Sequence, residues 1–379
     1  MRVLFILLIS SSLSVGCYHN KTSPDNPAEN TGNAIKYARG FEIQEADGLV
    51  SLRVKNPWQQ AENVTYEYWL GKDTLPEDKS IPLHRYFKVP VKKVVCLSTT
   101  FIGFIELLDR EQTIKGISGK KYVTCASLVD KIESGEIPDI GYDENLNYEK
   151  LIQLQPDVVL LYGITGSVSS IIARLDEVGI KSVVIAEYLE ETPLAKMEWI
   201  KYIGAFFDQA EEARIKFDSV AAKYNRLADM ASMQKDKPTV LLGLPWSGTW
   251  YISGGNSYMA SLLRDAGGNY LWKELPYKDS QPVSLEKVFE KAYKADFWLN
   301  TGDANAKADI LKVDERFIRL KAFRDDAIYN NNNQVYASGG NAYFEKGVVE
   351  PDIILADIIS VLHPHLLPSY QMKYYRKLE

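Results

Sequence analysis

Residues 191–236 carry one helical pattern, and this segment limits how the rest of the chain can be arranged. Thr192 is a suitable N-cap, and Pro193 follows at the first helical position, where the N–H that proline lacks would have no partner. Apolar residues then recur at helical spacing. Asp208 and Glu211 match a capping box, which leaves a break near Asp208 open. At about 1.5 Å per residue, the pattern predicts a helical backbone roughly 60 Å long.

Strand and helix patterns alternate on both sides of this segment. Buried strand patterns at 94–101 and 156–163 precede it, and the alternation restarts with a strand pattern at 238–244. This arrangement predicts an α/β fold with two lobes, each built on a mainly parallel sheet, joined by a long helical backbone. The predicted boundaries are a signal peptide at 1–17, a flexible tether at 18–36, a small N-terminal β element at 37–90, an N-terminal α/β lobe at 91–190, the interlobe backbone helix at 191–236 and a C-terminal α/β lobe at 237–379.

The first residues of the chain have the pattern of a targeting signal. Arg2 is followed by an apolar stretch that is too short to span a bilayer permanently. Small residues then precede Cys17, as in a bacterial lipobox, although Ser14 stands where leucine is usual. An ordinary signal peptide is the alternative. We expect Cys17 to be lipidated and to anchor the protein outside the cytoplasm on a bacterial membrane, with residues 18–36 as the tether.

Composition narrows the classes of partner and of chemistry. The net charge is −6, and lysine and arginine form no long cluster, so nucleic acid is not expected as a partner. The sequence contains no CxxC, P-loop, H-E-x-x-H or G-x-S-x-G motif, so neither catalytic residues nor a metal-ion site are predicted. Cys96 and Cys125 could form a disulfide outside the cytoplasm, and a buried free thiol at Cys96 is an equal alternative.

A short internal repeat occupies the same place in each half of the chain. Residues 147–163 and 284–302 both begin with a capping residue and a Glu-Lys pair, which contains Glu149 in the first copy and Glu286 in the second. In both copies an apolar helix, an aspartate and a strand that ends at glycine follow. The repeat supports two lobes of similar construction.

Several blocks together resemble the periplasmic substrate-binding proteins of ABC importers for vitamin B12, ferric siderophores and haem. The resemblance covers about 90–368, and its main blocks are GYDENLNYEKLIQLQPDVVLLYG, LDEVGIKSVVI, TPLAKMEWIKYIGAFF, GTWYISGGNSYMASLLRDAGGNYLW and the closing helix before HPHLLP. It implies two α/β lobes on a rigid helical backbone, with ligand held in the cleft between the lobes. It also implies that the lobes close only slightly around the ligand.

The resemblance also implies a partner. In this family, one glutamate on the rim of each lobe docks onto arginines of the membrane permease, and Glu149 and Glu286 match that motif. The alternative is a purely local role, because a glutamate in the first turn of a helix is stabilised by the helix dipole by about 0.3–1 kcal/mol. We expect both residues to dock onto an ABC permease, and we expect the protein to be a monomer.

Ligands of open α/β sheets bind at the carboxyl ends of the strands. The predicted ligand-binding residues at these ends are Ser98, Thr99, Tyr162, Tyr188, Trp246, Trp250 and Trp298. Aromatic side chains beside a few polar groups suit a large, flat, amphipathic ligand, and packing of the same aromatics into the core is the alternative. Because these ends carry no arginine or lysine, the pattern favours a corrinoid such as vitamin B12, while ferric siderophores and haem stay open.

Three functions are compatible with the sequence. The first is an extracytoplasmic binding lipoprotein that captures a corrinoid or ferric chelate and delivers it to an ABC permease. The second is an extracytoplasmic enzyme, which the missing catalytic motifs disfavour. The third is a binding or sensory module that kept the fold without a transporter. The first is our prediction.

Overall fold

The computed structural model describes residues 35–75, 80–142, 145–163 and 166–379. Its strands are β1 Phe41–Ala46, β2 Leu49–Lys55, β3 Thr65–Gly71, β4 Tyr86–Lys88, β5 Val94–Cys96, β6 Ile114–Ile117, β7 Val158–Leu161, β8 Ser182–Val184, β9 Thr239–Leu242, β10 Trp250–Ser253, β11 Asn269–Tyr270, β12 Ser280–Val283, β13 Phe297–Leu299, β14 Ile328–Asn330 and β15 Arg376–Lys377. Its helices are α1 Thr99–Leu107, α2 Ala126–Glu133, α3 Tyr148–Leu154, α4 Val168–Glu177, α5 Pro193–Phe206, α6 Ala210–Ser232, α7 Tyr258–Asp265, α8 Leu285–Ala292, α9 Lys307–Val313, α10 Lys321–Arg324, α11 Ala342–Glu345 and α12 Pro351–Leu362. The predicted lipidation site Cys17 and nearly all of the predicted tether lie outside the described residues.

Two separate parallel sheets form the centres of the two halves. The N-terminal sheet has the order β6-β5-β7-β8, and all its neighbouring strands are parallel. The C-terminal sheet has the order β11-β9-β13-β14-β15, in which only β15 runs antiparallel to its neighbour. Strands such as β5 and β7 are buried along their whole length, as expected for a sheet that is covered on both faces. The predicted α/β fold class is confirmed.

The backbone segment is two helices rather than one. α5 ends at Phe206 and α6 begins at Ala210, so the predicted break near Asp208 is present. Asp208 does not cap α6, because it takes a left-handed conformation with a φ of 54°. A Cβ added to Gly204 would lie 2.7 Å from the Cβ of Ala213, so the two helices fold closely against each other where they meet. Residues 191–236 therefore do not form a single straight helix. α5 still packs against both halves, namely against α1 on one side and against α7 and α12 on the other.

The N-terminal β element covers an exposed edge of the first parallel sheet. β1, β2 and β3 form an antiparallel meander, and β4 adds to it in parallel. The hydroxyl of Tyr68 on β3 accepts a hydrogen bond from the N–H of Val184 at 3.0 Å. Val184 lies on β8, which is the edge strand of its sheet. An unpaired edge N–H is thus satisfied, which is how natural proteins protect sheet edges.

Buried carboxylates on α5 and just before it hold the beginning of the described chain. Glu198 is fully buried, and its carboxylate accepts the N–H groups of residues 36–38 at 2.7 to 3.1 Å. It also accepts a hydrogen bond from the ammonium of Lys201 at 2.7 Å. Glu190 accepts the N–H of Gly40 at 2.9 Å and the indole N–H of Trp199 at 3.0 Å. The segment before β1 is therefore attached to the backbone helix by charge-assisted hydrogen bonds.

Cys96 and Cys125 are both buried and both free. Burial raises the pKa of Cys125 to about 11, so its thiol stays protonated and unreactive at neutral pH. The possible disulfide between the two cysteines is absent.

None of the described helices is long and apolar enough to cross a membrane.

Candidate functional site

A cleft of about 820 Å³ lies between the two halves, at the carboxyl ends of their strands. One wall comes from the start of α1, which follows β5, and the opposite wall comes from the start of α7 and from the loops after β13 and β14. α5 contributes the side chain of Lys196 between them. The residues that line the cleft include Thr99, Thr100, Tyr122, Lys196, Tyr258, Met259, Asn300, Asp303, Asn331, Asn341 and Tyr343.

The N-terminal wall is a small polar network at the start of α1. Ser98 is the N-cap, and its hydroxyl accepts the N–H of Thr100 at 3.4 Å. The Thr100 hydroxyl donates a hydrogen bond to Glu187 Oε1 at 2.8 Å. Glu187 is buried and burial raises its pKa, while its Oε2 atom has no hydrogen-bond partner among the described residues. The wall therefore offers hydroxyl groups backed by a buried carboxyl group.

The C-terminal wall consists mainly of asparagine and tyrosine. Asn300 directly follows β13 in a left-handed conformation with a φ of 58°, which asparagine tolerates well. Its Oδ1 atom accepts a hydrogen bond from the Tyr375 hydroxyl at 2.7 Å, and this bond fixes the amide at the edge of the cleft. Asn341 donates to the backbone oxygen of Asn331 at 3.0 Å, which holds two of the lining loops together. The wall is polar but uncharged at these positions.

A buried contact joins the two halves beside the cleft. Glu345 accepts a hydrogen bond from the Thr124 N–H at 2.9 Å and one from the Thr124 hydroxyl at 2.8 Å. Burial raises the pKa of Glu345 to about 7, despite the two hydrogen bonds, which lower it. Next to it, Lys346 pairs with Glu106 at 2.8 Å. These contacts connect α11 to the N-terminal half.

We expect Glu345→Gln to change how stability depends on pH. Because the pKa of Glu345 is about 7 in the folded chain, against 4.5 for a free side chain, its stabilising contribution is complete below pH 4.5 and is lost as the pH rises through 7. This difference corresponds to about 3 kcal/mol. Urea unfolding between pH 4.5 and 8 measures this effect. As the pH rises, the free energy of unfolding of the unsubstituted protein should fall by up to that amount relative to the variant, whose amide does not titrate. If the free energy of unfolding changes with pH in the same way for both proteins, the raised pKa of Glu345 is contradicted.

Two predicted ligand residues lie in the core instead of the cleft. Trp250 and Trp298 are fully buried and stack with their ring centroids 5.9 Å apart. Their indole N–H groups donate to the backbone oxygens of Leu242 at 3.0 Å and Gly243 at 2.7 Å. Both indoles are thus satisfied within the C-terminal half and present no surface to a ligand. The core alternative describes these two residues correctly.

The other predicted ligand residues are divided between the cleft and its surroundings. Thr99 lines the cleft, and Ser98 caps the helix beside it. Tyr162 and Tyr188 are half-buried and are not among the lining residues, and the Tyr188 hydroxyl donates to the Gly163 oxygen at 2.5 Å. Trp246 is 72% exposed in a turn and also does not line the cleft.

Sequence reasoning missed most of the cleft. Tyr258 and Met259 begin a helix rather than end a strand, and Asn331 and Asn341 lie in loops whose position depends on the fold. Lys196 did carry a signal, because it and Glu198 are the two charged residues in the otherwise apolar first half of α5. Within the described residues, no three histidine, cysteine, aspartate or glutamate side chains are placed to hold a metal ion.

The two predicted docking glutamates occupy equivalent, exposed positions. Glu149 lies in the first turn of α3 and Glu286 in the first turn of α8. The Asn147 side chain caps α3 by accepting the Lys150 N–H at 3.0 Å, whereas the residue at the same position before α8 makes no side-chain cap. Glu286 lies 3.9 Å from Arg316, and both side chains are largely exposed. Such a pair contributes little stability and leaves the carboxylate accessible.

Comparison with known proteins agrees with this geometry. The family model described as periplasmic binding protein matches residues 94–335, which is more than half of the chain and includes every strand of the two central sheets except β15. The chain belongs to this family. Two uncharacterized lipoproteins of Methanocaldococcus jannaschii are similar to this periplasmic binding protein over most of its length. One is 25% identical, and the alignment covers 94% of this chain and 89% of that lipoprotein. The other is 26% identical, and the alignment covers 92% of this chain and 87% of that lipoprotein.

Solved structures show the same fold. A periplasmic heme binding protein from Pseudomonas aeruginosa matches with a TM-score of 0.57 at 16% identity, covering 76% of this chain and 98% of that one. A possible iron-binding (periplasmic solute-binding) protein from Staphylococcus epidermidis matches with a TM-score of 0.56 at 17% identity, covering 72% and 99%. At these identities the likeness establishes the architecture of this periplasmic binding protein. The identity of its ligand has to be inferred from the residues of its own cleft.

Proposed function

We propose that this protein is the extracytoplasmic binding lipoprotein of an ABC importer, which captures a small metal chelate and delivers it to the membrane permease. The observation that carries the proposal is the cleft of about 820 Å³ between two parallel sheets that α5 connects. Ligand sites of proteins typically measure about 300–1,000 Å³ and occur at the carboxyl ends of parallel strands. The family membership supports a binding role.

The lining of the cleft shifts the choice of ligand. The corrinoid interpretation rested on aromatic walls and on the absence of arginine and lysine at the strand ends. Two of the three predicted tryptophans are core residues, and a lysine lines the cleft. The cleft presents hydroxyl and amide groups together with one lysine, which suit the oxygen atoms of a ferric chelate or the polar edge of haem. Solved proteins of the same fold are named for iron and heme. We therefore place a ferric chelate or haem ahead of a corrinoid.

Attachment to a membrane is part of the proposal. The sequence around Cys17 resembles a lipobox, and two similar proteins are named lipoproteins. Lipid at Cys17 would keep the binding protein close to its permease, and the tether would let it turn the rims that carry Glu149 and Glu286 toward the permease.

Isothermal titration calorimetry tests the binding role. We expect saturable binding of at least one of haem, ferric citrate, ferrichrome, cyanocobalamin and cobinamide. Thr99→Trp should weaken that binding at least about tenfold, because the added indole fills the mouth of the cleft beside α1. Ser134→Trp, which adds the same side chain at an exposed position, is the matched control. If no compound binds, or if both variants bind alike, this function is wrong.

A further inference from the structure

The ammonium group of Lys196 is the one cation on the lining of the cleft, as far as the chain is described. The other charged lining residue there is Asp303, which is exposed. No carboxylate of a described residue comes within ion-pair distance of Lys196, and its ammonium makes no hydrogen bond to any of them. The Lys196 ammonium lies 5.5 Å from the centroid of the Tyr258 ring. The carboxyl group of Glu187 attracts it from a greater distance. The cleft thus contains a cation without a close counter-ion.

This position is unfavourable for a lysine that serves the fold alone. Lys196 lies in the first turn of α5, where the positive end of the helix dipole repels a cation. Burial lowers its pKa, which means that the surroundings disfavour the charged form, and the attraction of Glu187 compensates only in part. A partly buried charge of this kind is stabilised when an opposite charge reaches it. Nothing in the described chain supplies that charge at close range.

The groups around Lys196 leave room for an oxyanion. Tyr258 comes from the C-terminal half, and Thr100 comes from the N-terminal half on the opposite wall. Thr100 is already oriented by its hydrogen bond to Glu187, so its position is set before a ligand arrives. A ligand oxygen beside Lys196 would meet its ammonium next to the ring of Tyr258 and the hydroxyl groups of the N-terminal wall. The asparagine amides of the C-terminal wall would contact the uncharged remainder of the ligand.

We infer that the cleft selects a metal chelate that carries an anionic oxygen group, such as a carboxylate, and that this group pairs with Lys196. The inference rests on the proposed function and specifies its ligand. The single ammonium of Lys196 would pair with one such group, and any further anionic group of the chelate would face solvent or the uncharged lining. Ferrichrome, which is uncharged, and cyanocobalamin, which has no carboxylate and whose single phosphodiester charge is balanced at its cobalt centre, are then poor ligands.

The experiment compares charged and uncharged forms of the same chelate by calorimetry. The probes are haem and haem dimethyl ester, which differ in the two carboxylates, together with ferric citrate, ferrichrome and cyanocobalamin. The variants are Lys196→Met, Lys196→Arg and the matched control Lys235→Met, which removes an exposed lysine outside the cleft. A charge-assisted pair is typically worth a factor of roughly 10 to 100 in affinity.

We expect haem or ferric citrate to bind, Lys196→Met to weaken this binding by about 10- to 100-fold, and Lys196→Arg to retain most of it. Equal affinity of Lys196→Met for the anionic probe, or binding of uncharged probes alone, would overturn the inference and leave the binding function standing. If no probe binds, the binding function itself fails, and the inference with it.

Thermal unfolding separates this role from a structural one. Without ligand, Lys196→Met should melt at the same temperature as the unsubstituted protein or above it, because it removes a poorly compensated charge. Saturating anionic chelate should then raise the melting temperature of the unsubstituted protein more than that of the variant. A ligand-free variant that melts several degrees lower would show that Lys196 stabilises the fold, and this result would contradict the inference.

Discussion

Replacing Glu149 and Glu286 together by alanine is expected to reduce stimulation of the permease ATPase roughly tenfold or more, because exposed charges at an interface set orientation and encounter rate. Both carboxylates are exposed in the first turns of equivalent helices, one in each half of the chain. Neither lines the cleft, so ligand affinity should not change. The measurement is stimulation of permease ATPase in proteoliposomes by the ligand-loaded protein, with calorimetry on the same samples.

The control for this experiment removes two other exposed glutamates, one from each half. Glu177→Ala with Glu274→Ala changes the net charge by the same amount at exposed positions outside α3 and α8. We expect this pair to stimulate the permease as the unsubstituted protein does. Full stimulation by the Glu149 and Glu286 variant would remove docking from the proposal. It would favour a binding or sensory module that has the fold without a transporter.

The second large effect is on stability. Glu198→Ala should lower the free energy of unfolding by about 3–5 kcal/mol, the usual cost of removing one partner from a buried ion pair. The fully buried carboxylate accepts three backbone N–H groups from residues 36–38 as well as the Lys201 ammonium. Its loss leaves these donors without that acceptor and releases the segment that leads into β1. Urea denaturation measures the change, and limited proteolysis before Phe41 should become faster.

Two further variants make this prediction specific. Glu212→Ala, at an exposed position of α6, should change the free energy of unfolding by less than about 0.5 kcal/mol. The double variant Glu198→Leu with Lys201→Met replaces the buried pair by apolar side chains and should recover part of the loss. A cost below about 1 kcal/mol for Glu198→Ala would show that residues 36–38 are held by other contacts.

Local sequence predicts the helix and strand content well, because caps and buried strands depend on neighbouring residues. Thr192 caps α5 as its position suggests, with its hydroxyl accepting the Ala195 N–H at 3.3 Å. The buried run at 158–161 is a strand of a parallel sheet, as its apolar composition indicates. The break near Asp208 is also visible in the pattern, although the residue that ends the helix adopts a left-handed conformation instead of capping the next one.

The site was predicted less well, because proximity across the cleft depends on how distant elements pack. Trp250 and Trp298 lie on short strands, and nothing in so short a pattern distinguishes a side chain that faces a ligand from one that faces a helix. The sequence by itself determined the α/β class, the family resemblance and the equivalent placement of Glu149 and Glu286. Only the tertiary structure decided that two tryptophans are core and that Lys196 faces the cleft, since burial is a property of the surfaces that meet in the folded chain.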